Sequence, residues 1–95
     1  MISELLYKTE RFKAVNPFIP FEIEMTSDAD HLGESISEMN FWHNTSATII
    51  AIKREDNMII SPGPYAVVKE GDTIYYLGDE NSQERVKNFL YSPQP

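Results

Sequence analysis

Ninety-five residues, 41% of them hydrophobic, suffice for one folded domain, and a core this small gains from a partner subunit. The absence of cysteine excludes disulfides, thiolate metal sites and thiol catalysis. The net charge of −7 is uneven: residues 1–20 carry Lys8, Arg11 and Lys13 against Glu4 and Glu10, whereas the rest sets five basic against thirteen acidic residues, a poor surface for duplex DNA.

Ile2 to Val15 fits an amphipathic helix, with Ile2, Leu5, Leu6, Phe12 and Val15 at three- and four-residue spacings. Asn16-Pro17-Phe18-Ile19-Pro20 blocks its continuation and marks a boundary, giving an N-terminal helix and linker over 1–20 and a domain over 21–92. Phe21-Glu22-Ile23-Glu24-Met25 alternates as a half-buried strand does. A polar loop, Thr26 to Asp30, leads to a short helix over Gly33 to Met39, and Phe41 and Trp42 read as core or interface anchors.

Ala47 to Ile52 is nearly all apolar and reads as a strand buried on both faces. Lys53 to Asn57 is a charged break, and Met58 to Ile60 is a second strand. Ser61-Pro62-Gly63-Pro64 ends it, because proline has no N–H for the ladder and Gly63 permits positive φ. Tyr65 to Val68 is a short extended piece. Gly71 sits at a turn position that needs positive φ, and Thr73 to Leu77 is a strand. Ser82 is the expected N-cap of a last helix over Gln83 to Leu90, with Val86, Phe89 and Leu90 on its buried stripe. The pattern predicts an α+β domain with a mostly antiparallel sheet, preceded by the N-terminal helix.

No catalytic set assembles, and the expectation is a protein that is not an enzyme. His31 and His43 lack metal-ligand spacing, and no phosphate loop, dinucleotide fingerprint or nucleophile elbow is present. Asp28 and Asp30 begin like a calcium loop, but glycine and the closing glutamate fall at the wrong offsets. No run approaches the roughly 18 apolar residues of a membrane span, and no secretion signal opens the chain, so a cytoplasmic location is expected.

Leu32-Gly33-Glu34-Ser35-Ile36-Ser37-Glu38-Met39-Asn40, Thr45 to Arg54, Ile59-Ile60-Ser61-Pro62-Gly63-Pro64, Glu70-Gly71-Asp72-Thr73-Ile74 and Gly78-Asp79 together resemble the RCK C-terminal domain, also called TrkA-C, over Phe21 to Leu90. Phe41-Trp42-His43-Asn44-Thr45 and the Ser-Pro-Gly-Pro-Tyr ending most resemble the branch in bacterial osmotic regulators. The resemblance implies a β-α-β-β-β-α domain, a homodimer, and regulation of potassium or cation transport or of osmolyte-uptake genes. It implies cyclic di-AMP as a regulatory ligand in place of a cofactor. The implied partner is a transporter or channel subunit, or a fused DNA-binding domain absent from this chain. The alternative is an assembly module without a nucleotide. The usual glycine after the helix is Ser46 here, which costs energy if that position needs positive φ.

A site for such a ligand is expected around Trp42, His43, Asn44, Thr45, Ala47, Thr48, Ile49, Ile50, Arg54 and Pro62. Trp42, Ala47, Ile49 and Pro62 supply flat apolar walls for adenine. Backbone amides of Ala47 to Ile50, with Asn44, His43 or Arg54, supply phosphate donors. The dimer interface is expected to include Trp42 and the Ala47–Ile52 strand, with Ala47 as the floor of the pocket.

Overall fold

A computed structural model describes residues 20–92; the helix expected over Ile2 to Val15 and the linker after it lie outside the described residues, except Pro20. The elements in chain order are β1 (Phe21–Glu24), α1 (Ile36–Met39), α2 (Phe41–Thr45), β2 (Thr48–Arg54), β3 (Asn57–Ile60), β4 (Thr73–Leu77) and α3 (Glu80–Leu90). The strands form one sheet in the order β1-β4-β2-β3, with every pairing antiparallel. The expected α+β class with an antiparallel sheet is therefore what this chain forms.

Period-two patterning decides which sheet face is covered. Ile74 and Tyr76 of β4 and Ile52 of β2 are buried; Ile23 and Phe21 pair with Ile74 and Tyr76, and Ile59 pairs with Ile52. Met39, Phe41, Val86 and Leu90 from the helices complete the core. Phe41 meets Tyr76 and Phe89 edge-on, at ring-centroid distances of 6.4 and 6.1 Å. Glu22 and Glu24, the alternate residues of β1, are exposed.

The helical region between β1 and β2 is two short helices. Ser35 caps α1 in a capping box: its hydroxyl accepts from the Glu38 amide, and the Glu38 carboxylate accepts from the Ser35 amide. Asn40, at φ 51°, ends α1 in the left-handed region and turns the chain into α2. Ser46 ends α2 at φ 60°, so the position that the resemblance fills with glycine does require positive φ.

Several expectations are corrected. β2 continues through Lys53 and Arg54, and the turn shrinks to Glu55 and Asp56, with Glu55 at φ 56°. Only Ala51 and Ile52 are buried in succession; Thr48 is exposed and Ile50 half-buried at a bulge. Tyr65 to Val68 is not a strand but makes an isolated bridge, Ser35 with Val67. Positive φ falls on Ser61, not on Gly63, whereas Gly71 adopts it at 92°. The N-cap of α3 is Asp79 and not Ser82: the Asp79 carboxylate accepts from the Ser82 amide at 2.8 Å and from the Ser82 hydroxyl at 3.0 Å. Those bonds from Ser82 hold the Asp79 carboxyl below its usual range.

Gly78 has a packing reason rather than a conformational one. A Cβ there would come within 2.6 Å of the Ser82 Cβ and 3.3 Å of the Ala47 Cβ, so β4, α3 and the entry to β2 meet over a bare backbone. Tyr91, just past α3, donates its hydroxyl to the Glu24 carbonyl and accepts from the Thr26 amide, tying the end of the fold to β1.

A candidate ligand-binding rim at the entry to the second strand

Three pieces of chain converge at the start of β2. The short helix α2 delivers the chain into β2 through Ser46, whose amide donates to the Trp42 carbonyl at 2.8 Å. The Ser61 amide donates to the Ile50 carbonyl at 2.8 Å, which extends the β2–β3 ladder and brings Pro62 alongside Ile50. Beyond Pro62, the Pro64 and Ala66 carbonyls accept from the Ser37 and Ile36 amides at 2.7 and 3.0 Å. These are first-turn donors of α1 that the helix itself cannot satisfy, so α1 and the 62–68 segment are held together.

Most of the sequence-expected residues gather here. Trp42, His43, Asn44 and Thr48 are exposed; Ile49, Ile50 and Pro62 are half-buried. Trp42 is 68% exposed, unusual for the largest apolar side chain, while its neighbour Phe41 is buried in the core. Of the two expected anchors, then, Phe41 belongs to the core and Trp42 to the surface. Ile60 and Tyr65, at 68% and 84% exposure, add apolar surface on the chain flanking Pro62. The Asn44 side-chain amide donates to the Met39 and Asn40 carbonyls, closing the α1–α2 junction.

Three of the expected residues serve the fold instead. The Thr45 hydroxyl is fully buried, donating to the Phe41 carbonyl and accepting from the Ala47 amide. Ala47 is 1% exposed, so its methyl is part of the core and not the floor of an open pocket. Arg54 lies at the opposite end of β2. Its Nε and Nη2 donate to the two carboxylate oxygens of Asp72 at 2.9 and 2.8 Å, and Nη2 also donates to the Val67 carbonyl at 2.8 Å. A guanidinium committed in this way is not a free phosphate donor.

Asp72 is fully buried and also accepts from the Lys69 amide at 2.9 Å. Burial pushes its carboxyl upward, but hydrogen bonds from Arg54 and Lys69 and the charges of both outweigh that and hold it below the usual carboxylate value. The carboxylate hydrogen bond raises the Arg54 guanidinium correspondingly. This pair was not legible as such, because its members are eighteen residues apart; only the fork itself shows it.

β2 pairs with β4 from Thr48 to Lys53 but with β3 only from Ala51 to Arg54, so β3 does not pair with Thr48 and Ile49. A separate cleft of about 390 Å³ lies between β1 and α3, lined by Glu24, Gln83, Lys87 and Tyr91 among others, and contains none of the expected residues. Among the described residues, no three His, Asp or Glu side chains group as a metal site would require, and no helix is long and apolar enough to cross a membrane.

The TrkA-C domain family model matches residues 21–91. A probable potassium channel protein 2 of Methanocaldococcus jannaschii is 34% identical over 70 residues, which cover 74% of this chain and 20% of that protein. The chain thus spans about one fifth of the length of this curated relative. The solved RCK_C domain dimer of Streptococcus agalactiae BusR, in complex with c-di-AMP, is 47% identical with a TM-score of 0.74, over 78% of this chain and 91% of that one. The RCK C domain of the potassium transport protein KtrA, also in complex with cyclic diadenosine monophosphate, is 28% identical with a TM-score of 0.68, over 93% and 99% of the two chains.

Proposed function

This chain belongs to the TrkA-C domain family, and from that premise we propose that it is a ligand-sensing regulatory module that binds cyclic di-AMP between two copies of itself. The observation that carries the reading is the exposed indole of Trp42 on the helix leading into Thr48–Ile50, where the Ser61 amide, next to Pro62 in the chain, donates to the Ile50 carbonyl. An adenine ring needs such a flat apolar wall, and the exposed side chains of His43 and Thr48 supply polar groups for a phosphate, whereas the Asn44 amide is committed to the Met39 and Asn40 carbonyls. The likeness to the BusR domain supports the choice of ligand. Thr45 and Ala47 lie beneath this rim and shape it from inside.

Two-fold symmetry follows from the same reading. Cyclic di-AMP is itself two-fold symmetric, so one molecule between two chains makes each contact twice. Exposed Trp42, Ile60 and Tyr65 provide apolar surface for the second copy to cover. The module would act on a channel or transporter subunit, or on a fused DNA-binding domain, regulating potassium transport or osmolyte uptake in the cytoplasm.

Isothermal titration with cyclic di-AMP, cyclic di-GMP and ATP tests it. The expected result is heat with cyclic di-AMP at one ligand per two chains, lost in Trp42→Ala. Silence with all three at protein concentrations well above micromolar would leave the assembly role without a nucleotide. One ligand per chain would refute the shared site.

A further inference from the structure

We propose that Arg54 and Asp72 form a positioning clamp that sets the geometry of the ligand rim from the far end of β2, without touching the ligand. This rests on the ligand reading above. The 61–72 segment has little regular structure of its own. Apart from an isolated bridge at Val67, backbone hydrogen bonds and the buried Val68 hold it. Among the described residues, Arg54 makes the side-chain hydrogen bonds that join this segment to the sheet, through Asp72 and through the Val67 carbonyl.

The linkage from clamp to rim is continuous. Arg54 fixes the Val67 carbonyl, and Val67 is bridged to Ser35, the N-cap of α1. On either side of Val67, the Val68 amide donates to the Glu34 carbonyl and the Ala66 carbonyl accepts from the Ile36 amide. Pro64 then receives the Ser37 amide, and Ser61 returns to Ile50. The Asp72 backbone completes the far anchor: its carbonyl accepts from the Met25 amide, and Gly71 donates to the Met25 carbonyl, both at 2.7 Å. Releasing Val67 and Asp72 frees the 61–68 segment and α1 together, and with them the position of Pro62 relative to Ile50.

The planar fork is essential, since lysine offers a point charge that cannot hold both carboxylate oxygens and a carbonyl at once. Asp72 is buried at 0% exposure and so cannot reach a bound ligand, which makes it the discriminating residue.

The experiment combines native-state amide exchange with cyclic di-AMP titration on wild type, Arg54→Lys, Asp72→Asn and the double variant. In both single variants the Ile36, Ser37 and Val68 amides should exchange at least about tenfold faster relative to the β4 amides of Ile74 and Tyr76. Affinity should fall by about tenfold in each, and the double variant should lose no more than the worse single one, as expected of coupled residues. Arg54→Lys keeps the buried carboxylate and serves where Asp72→Asn folds poorly. Uniform acceleration of all amides, or local acceleration with unchanged affinity, would overturn the clamp. So would lost affinity in Arg54→Lys with full affinity in Asp72→Asn, which would make Arg54 a direct ligand contact. Wild type that binds no cyclic di-AMP would sink the ligand reading, and the exchange pattern would then decide whether Arg54 and Asp72 position the segment.

Discussion

At its first residues β2 is loosely enclosed: Thr48 is exposed, Ile50 bulges half-buried beside Pro62, and exposed Trp42 stands on the helix before it. At its other end the same strand is locked, with Ile52 at zero exposure and Arg54 forked onto a buried carboxylate. Stability and surface chemistry are thereby separated along seven residues. The locked end holds the sheet and the 61–72 segment in register, which leaves the open end free to carry side chains that contribute little to folding. Substitutions at the two ends should accordingly differ in kind as well as in size.

The largest effect is expected at Ile52. Ile52→Ala leaves a cavity in the core and should cost about 3–4 kcal/mol, against less than about 1 kcal/mol for Ile50→Ala two residues away. Urea unfolding midpoints of the two variants check this, and equal losses would erase the contrast. Next comes Asp72→Ala, expected to cost about 3 kcal/mol, the low end for breaking a buried pair because one third of the Arg54 side chain is exposed and can rehydrate.

The clamp also has a pH signature. The folded Asp72 carboxyl lies below its unfolded value, so its contribution is present above about pH 4 and is lost as pH falls through the folded value. Wild-type stability should drop more steeply below pH 4 than that of Asp72→Asn, measured by unfolding at a series of pH values. Parallel slopes would remove Asp72 from the acid response.

Gly78→Ala tests the floor beneath the open end. The clash with Ser82 should cost about 1–3 kcal/mol, read from thermal unfolding, since both Cβ positions are on packed backbone. At the entry itself, Ser46→Gly should stabilise by up to about 1 kcal/mol, raising Tm by several degrees, because glycine occupies φ 60° without the Cβ penalty. The smallest change in stability, within about 0.5 kcal/mol, is expected for Trp42→Ala measured at concentrations low enough for the chain to be monomeric, because the side chain is 68% exposed in a single copy. Its loss should be read in ligand binding instead, and a strongly destabilised Trp42→Ala would place the indole in the folded core.

Local signals carried much of this architecture. Alternation in Phe21–Glu24, β-branched and aromatic runs in β2 and β4, and the breaks at Pro62 and Gly71 mark elements whose cause lies within a few residues. The family likewise was legible, in short motifs whose order and spacing the family match bears out. The Ser35–Glu38 spacing also carries a capping-box signal, which a reading of Gly33 to Met39 as one helix passes over.

What the tertiary structure alone decided are the pairings between distant residues. Arg54 reads as a phosphate donor in a charged break until Asp72, eighteen positions on, is seen to hold it at the end of β2. Ala47 looks like a pocket wall until Gly78 and Ser82 close over it, and Ser82 looks like a cap until Asp79 takes that role. Sequence by itself determined the four main strands and the apolar stripe of α3, because backbone propensity and periodicity act locally. Which apolar residue is core and which is rim, and which charge is bound and which is free, depended on packing between segments that no local pattern encodes.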